Sequence, residues 1–468
     1  MRGNRLNQIL TAMDSEQYAL TVGTAAGEPL TSAFEKRRVV HAGVRGKPLL
    51  PGNWQSTWQS LLKQKVKPEQ RVAYIHIPFC RQRCLYCGFF QNYSNEEMET
   101  LYIDSLVKEL QLSKGSSYLD SGPVNAVFIG GGTPSTLAPQ NVSRLLGAIQ
   151  DCLPLANDYE LTLEGRINDL VPAKIEAWLA HGVNRVSIGV QSFDTGVRRA
   201  VGRMDDTETI LAKLELLSGY NQATVIIDLM YGLPHQTSEV WANDIRLLKL
   251  AAIDGLDLYQ LNIYPNSALQ QAITAGKLPP AATTAEQAEM FALAEANLSA
   301  GIFSRLSNCH WGKTTRERSL YNTLTKAGHN VIPFGAGAGG NVGGVTMFLH
   351  RNMAAYIKSI EEGHKPVAAM ALQPDGSELH NMVVGQLERG YLSLPVLARH
   401  YGAVVWELEA LLDIWESRGL ITRRADLVRL TVAGQFWHMN ITQSVLECLH
   451  ALLDGVHSVE VEPIAAQG

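Results

Sequence analysis

The stretch Tyr74-Ile-His-Ile-Pro-Phe-Cys80-Arg-Gln-Arg-Cys84-Leu-Tyr-Cys87 governs the reading of the whole chain. A short β-branched run, Val72–Ile77, leads directly into three cysteines at C-x3-C-x2-C spacing. Soft thiolates select zinc or iron–sulfur clusters. A closed zinc site wants four ligands, usually from paired hooks, and no second hook occurs in this sequence. Three thiolates can hold three corners of a [4Fe–4S] cubane and leave one iron without a protein ligand. Such an iron can chelate the amino and carboxylate groups of S-adenosylmethionine (SAM). One electron from the cluster then breaks a C–S bond, leaving methionine and a 5′-deoxyadenosyl radical. Cys152, Cys309 and Cys448 stand alone among apolar or helical neighbours and read as buried thiols.

Outward from this motif the chain alternates. Runs at Val72–Ile77, Val124–Ile129, Tyr159–Leu163, Arg185–Val190, Thr224–Leu229 and Leu256–Ile263 are separated in several places by helical patterns such as EEMETLYIDSLVKEL. Strands alternating with helices predict an α/β fold with a parallel sheet, here a barrel or partial barrel. Each run ends on chemistry: the cysteines, Gly130-Gly-Gly-Thr-Pro134, Glu164, Gln191, Asp228 and Asn262. Polar groups at the carboxyl ends of parallel strands gather on one rim, where barrel active sites lie. A second glycine-rich run, PFGAGAGGNVGG at residues 333–344, suits close approach of backbone to a ligand. The expected division is an irregular N-terminal extension over residues 1–70, the barrel over 71–367 and a small helical, winged-helix-like domain over 368–468. That last domain reads as packing or a lid.

Composition narrows the partners. The 468 residues are 46% hydrophobic and 18% charged, with a formal charge of -5, so no basic footprint for nucleic acid is present. The N-terminus lacks the apolar core of a signal peptide, and no 18-residue uncharged apolar run suggests a membrane span. Six cysteines in this length do not make a disulfide framework, and three of them crowd into eight residues. The reducing cytoplasm is the expected location.

With these motifs in order, the chain resembles the radical-SAM superfamily. The run YIHIPFC…CxYC is similar to its oxygen-independent coproporphyrinogen dehydrogenase branch, over residues from about 71 to 450. The resemblance implies a partial (β/α) barrel and roles for matching positions. Cys80, Cys84 and Cys87 would ligate the cluster, with Tyr74 and Tyr86 flanking it. Gly131, Gly132 and Thr133 would contact the methionine moiety of SAM. Glu164, Gln191, Arg203 and Asp228 would line the SAM sites, and Asn262 and Asn341 would contact nucleotide or a second SAM. Tyr74, Arg203 and Asp228 are the expected catalytic positions, and flavodoxin or ferredoxin is the implied electron donor. Where the dehydrogenase reads Cys-Gly-Cys after the last ligand, this chain has Cys87-Gly-Phe89, which weakens a decarboxylating role.

Two further blocks, EKRRVVHAGVRGKP and CHWGKTTRERSLYN (residues 309–322), resemble the anaerobic haem-degrading methyltransferases, the anaerobilin synthases. That resemblance implies haem as substrate, two SAM molecules (one for the radical, one for carbon), ring opening at a meso carbon and release of iron. Arg316 and Arg318 are candidates for the haem propionates, and His310 for the iron. Arg37, Arg38 and His41 share that ambiguity. His76 packs or hydrogen-bonds near the cysteine loop, and Trp311, Tyr321 and Phe334 either stack on a macrocycle or fill core. Haem-trafficking members of the branch carry an HNxxYW-type motif where this chain reads RSLYN, which counts against trafficking.

Overall fold

The computed structural model describes residues 5–25, 27–38, 46–66 and 69–453. They fall into two compact units, one drawn from residues 46–280 and 311–374, the other from residues 1–45, 281–310 and 375–468. Residues 281–310 belong to the smaller unit. No helix among the described residues is long and apolar enough to cross a membrane.

All six expected runs of the larger unit are strands: β1 (Arg71–Ile77), β2 (Val124–Gly131), β3 (Leu155–Gly165), β4 (Arg185–Gln191), β5 (Thr224–Tyr231) and β6 (Gly255–Gln260). Each pairs in parallel with the next. The sixth is shorter than its sequence suggested, so Asn262 lies in the loop beyond it. A parallel sheet is covered on its faces and its strands read as nearly continuous apolar runs; every residue of β4 is buried. The connecting helices start on clear signals. Asn95 caps Glu96–Ser113, Asp206 caps Thr207–Gly219, and Pro139 and Pro172 open two others. On the other side of β1 lies β7 (Asn330–Phe334), also parallel, and then β8 (Gly339–Val342), β9 (Val345–Leu349) and β10 (Val367–Leu372), each antiparallel to its predecessor. The order β10-β9-β8-β7-β1-β2-β3-β4-β5-β6 makes a partial barrel.

The glycine-rich run before β8 packs protein against protein. Gly335, at φ +94°, lies so close to β1 that a Cβ would stand 2.5 Å from the His76 carbonyl oxygen. The Tyr102 hydroxyl donates to that same carbonyl at 2.5 Å and accepts the Ala336 amide at 3.0 Å. Glu109 accepts the Gly335 amide at 2.9 Å and pairs with buried Lys365 at 2.8 Å. The loop is therefore pinned to the strand that leads into the cysteines.

The block at residues 311–322 crosses the amino-terminal ends of the strands. Thr314 donates to Asp254, just before β6, at 2.8 Å. The Arg316 carbonyl accepts from Thr224 at the start of β5. Glu317 pairs with Arg185 at the start of β4 at 3.0 Å, both fully buried. Glu160 of β3 accepts the amides of Leu320 and Tyr321 at 2.8 and 3.1 Å, starting the helix Leu320–Lys326. Tyr321 then packs its ring on Phe128 of β2, 4.8 Å between centroids. This block closes the floor of the barrel.

In the smaller unit, β11 (Tyr391–Ser393), β12 (Ile421–Arg424) and β13 (Leu427–Leu430) form an antiparallel sheet in the order β11-β13-β12. Helices at Leu394–Tyr401, Glu409–Ser417 and His438–Leu453 accompany it, a winged-helix-like arrangement in a mostly helical region. The two arginines expected near substrate serve this packing. Arg38 pairs with Glu447 at 3.0 Å, and Arg37 lies over the Phe436 ring at 4.7 Å. His41 lies outside the described residues.

Removing one partner of a buried ion pair strands the other charge, at a cost of about 3–5 kcal/mol. Glu317→Ala is expected to lower unfolding stability by about that amount in urea titrations. Charge-conserving Glu317→Asp is expected to lose less.

Candidate active site at the carboxyl ends of the strands

A cavity of about 490 Å³ opens at the carboxyl ends of β1–β6. Cys80, Cys84 and Cys87 line it with Tyr86, Gly131, Gly132, Thr133, Glu164, Gln191, Arg203, Asp228 and Asn262. All three thiols are free.

The cysteine loop is held by a close approach of two backbones. The Gly132 amide donates to the Ile77 carbonyl at 2.8 Å, and a Cβ on Gly132 would lie 2.5 Å from the Phe79 carbonyl oxygen. Gly131, at φ +115°, faces the His76 ring, where a Cβ would meet the ring carbon at 2.6 Å. These amides are already engaged, since that of Gly131 donates to Glu164 at 3.1 Å. Both glycines, expected beside the methionine moiety, line the cavity. Their contribution is the absence of side chains, which lets the loop fold over β2.

Charge is arranged around the thiols. Burial pushes the Cys80 thiol up, and its sulfur lies 3.3 Å from the Thr133 hydroxyl. At Cys84 burial acts in the same sense, but the guanidiniums of Arg203 and Arg166 outweigh it and hold the thiol below its ordinary value. Arg203 is fixed by donating to the Gly189 carbonyl at 2.5 Å and to the Tyr86 hydroxyl at 3.2 Å. The adjacent bulge between Gly189 and Gln191 puts Gln191 at φ +73°, a costly conformation for a side-chain-bearing residue.

Two carboxylates line the same cavity as the thiols, Glu164 and Asp228, and neither pairs with a cation among the described residues. Burial, then the charge of Asp228, pushes Glu164 up to about 8. Burial, then Asp257, pushes Asp228 to about 7, although Ser187 donates to it at 3.3 Å. Such a pair favours a cationic occupant, whose charge would let both ionise.

Other expected positions lie elsewhere. Tyr74 is one layer below, in a cluster with Phe128 and Tyr321, whose ring centroids lie 6.3 and 6.4 Å from its own. Its hydroxyl is hydrogen-bonded to His76 Nδ1 at 3.0 Å. His76 also meets Gln91 at 2.9 Å, and burial, with Arg351, lowers its pKa to about 4, so it is neutral. Asn341 sits on β8 opposite Val331 and Thr346 and does not line the cavity. Arg316 and Arg318 stand at the opposite end of the sheet. Arg316 donates to Asn221 at 3.0 Å, and Arg318 to the Asp158 carbonyl at 2.8 Å. Their partners are floor residues, so the block expected to meet propionates is engaged in closing the barrel. His310, in the smaller unit, is buried and also absent from the cavity wall. Trp311 and Phe334 are core. Arg166, Ser187, Met230, Tyr259, Gln260 and Tyr264 line the cavity as well. Their positions just after or within the strand ends were the available signal for them.

The Radical SAM superfamily model matches residues 74–248. The chain belongs to the radical SAM superfamily. It is 34% identical over 420 residues to anaerobilin synthase of Escherichia coli O157:H7, covering 90% of this chain and 93% of that one. It is also 29% identical to anaerobic coproporphyrinogen III oxidase 1 of Cereibacter sphaeroides, covering 79% and 84%. Among solved structures, coproporphyrinogen III oxidase HemN from Escherichia coli shares the fold, with TM-score 0.71 at 20% identity over 83% of this chain and 93% of that one.

The two raised carboxyls set a pH dependence. Between the ordinary 4.5 and about 8 the folded chain keeps a proton on Glu164 that the unfolded chain has lost. Stability of the cofactor-free protein therefore falls as pH rises through that window. Asp228 acts in the same sense between 3.8 and about 7. Glu164→Gln with Asp228→Asn is expected to flatten this fall in denaturant titrations at stepped pH.

Proposed function

We propose that the chain is an anaerobic radical SAM methyltransferase that opens the haem macrocycle, releasing iron and a methylated linear tetrapyrrole. One observation carries the reading: a three-thiol, carboxylate-walled cavity in a chain that follows an anaerobilin synthase along nearly its whole length.

The residues present fit a cluster and SAM. Three free thiols face one cavity, one of them already biased toward thiolate, which is the form that ligates iron. The cavity volume lies within the roughly 300–1,000 Å³ of small-molecule sites. When bound, the [4Fe–4S] cluster supplies the electron that splits SAM into methionine and a 5′-deoxyadenosyl radical. In this reading Cys80, Cys84 and Cys87 hold the cluster, while Arg203 fixes Tyr86 and the Cys84 environment. Glu164 and Asp228 receive the cationic and hydroxyl-bearing parts of SAM, and Gln191 and Asn262 its remaining polar edge. Gly131, Gly132 and Thr133 shape the wall beside the methionine moiety. Tyr74 supports this layer from below through His76 rather than from the cavity wall. Two SAM molecules, a flavodoxin or ferredoxin donor and a cytoplasmic location complete the proposal. The reducing location accords with six free thiols.

Likeness to coproporphyrinogen III oxidases supports a second reading, oxidative decarboxylation of propionates. The products separate the two readings.

Replacing Cys80, Cys84 and Cys87 together by Ala should abolish bound iron and the broad cluster absorbance. Cys152→Ala, Cys309→Ala and Cys448→Ala should retain both. Full iron retention in the triple variant would refute the ligand set. With haem, CD₃-labelled SAM and a flavodoxin system or strong reductant under anaerobic conditions, deuterated carbon should enter a ring-opened product as the Soret band falls and free iron appears. Vinyl groups and carbon dioxide without labelled carbon would identify the decarboxylating activity instead.

A further inference from the structure

The cavity has two different ends. Its depth is polar, with Glu164, Asp228, Arg203 and the thiols. Its mouth is aromatic: Phe89 is 70% exposed, Tyr259 42% and Tyr264 40%, and all three line the cavity. Ile263, beside them in sequence, is 39% exposed. Scattered exposed apolar residues are normal on a protein surface, but several converging on one cavity mouth mark a binding surface.

This rim is built. The end of β6, which carries Tyr259, and two loops form it: residues 85–89 after the second cluster cysteine and residues 261–269 after β6. The Leu269 amide donates to the Leu85 carbonyl at 3.0 Å and ties them together. Tyr264 lies flush over Gly88, where an added Cβ would stand 3.6 Å from its ring. The turn beneath is set by the Ser267 amide donating to the Tyr264 carbonyl at 3.1 Å and the Asn266 amide to Gln270 at 2.6 Å. Asn266 adopts φ +62° there. The rings are thus held open to solvent instead of collapsing on one another.

We propose that Phe89, Tyr259 and Tyr264 form the platform that receives the flat face of the tetrapyrrole, placing its edge over the mouth of the SAM cavity. This rests on the haem reading above. A rigid ring surface suits a planar macrocycle, since stacking contributes dispersion and area burial without ordering flexible chains. It also replaces the floor block, whose arginines stand at the other end of the barrel, as the substrate-facing element.

The test titrates zinc protoporphyrin, which is fluorescent and contains no iron to release, into the cluster-loaded protein. Haem is titrated in parallel through its Soret shift. Phe89→Ala and Tyr264→Ala should each weaken porphyrin binding by about tenfold, and the pair by more, with cluster absorbance retained as the check on folding. Phe89→Trp should keep binding. Phe348→Ala, which removes a ring 56% exposed on β9, should change nothing. If the wild type binds and turns over haem but the rim variants bind porphyrin equally well, the platform is overturned and the haem reading stands. If the wild type binds neither porphyrin, the haem reading itself falls. If Phe348→Ala weakens binding as much as the rim variants, the porphyrin is adhering to general surface and the platform is overturned.

Discussion

The site depends on one steric constraint, the contact between the backbone leaving β1 and the glycines ending β2. The Gly132 amide bonds to Ile77, and no side chain fits between Gly132 and Phe79. The cysteine loop can therefore turn directly over the strand end, bringing Cys80 against Thr133. Gly131 admits the His76 ring in the same way, and Gly335 presses on the His76 carbonyl from the neighbouring strand. Three glycines from two separate segments thus pack against one stretch of β1 and the loop that follows it.

Electrostatics inside the barrel follow from its topology. Glu160, Glu164, Asp228, Asp257 and Glu317 all lie within or at the ends of the sheet, and Arg185 is buried among them. At the floor the Arg185–Glu317 pair is matched charge for charge. At the top burial raises both carboxyls, with the charge of Asp228 acting on Glu164 and that of Asp257 acting on Asp228. A cationic ligand would favour their ionised forms. Binding of such a ligand thereby releases protons, which couples affinity to pH without any moving part.

A division of labour along the barrel axis accounts for the likeness to both haem-opening and coproporphyrinogen-oxidising relatives. The cysteine loop, the glycine run and the carboxylates occupy the depth of the cavity, where radical initiation belongs. The mouth belongs to the end of β6, which carries Tyr259, and to two loops, residues 85–89 and 261–269, whose Phe89 and Tyr264 are free of the sheet's register. Loops on a rigid scaffold are where one fold diversifies its substrates. Phe89 follows two residues after a ligand cysteine, so a single substitution there changes what the mouth presents while leaving the depth intact.

Local signals in the sequence determined much of this protein. Six β-branched runs with capped helices between them specified the parallel strands, and the C-x3-C-x2-C spacing specified a three-thiol site at the first strand end. Glu164, Gln191, Asp228 and Asn262 were legible because a residue closing a parallel strand must emerge on the same rim. Only the tertiary structure decided the rest. Arg316, Glu317 and Arg318 look like an anion-binding block in one dimension, yet they lie against the starts of β3–β5, because the chain crosses the barrel floor before entering β7. Gly131 and Gly132, read as ligand-facing, line the cavity, and Gly132 is also where two backbones meet. Tyr259 at the end of β6 and Tyr264 in the loop beyond it carried no motif, since an isolated aromatic residue is ambiguous until its neighbours are known. Sequence spacing fixes which end of a strand a residue occupies; what it meets there is set by segments a hundred or more residues away, through packing that no local pattern encodes.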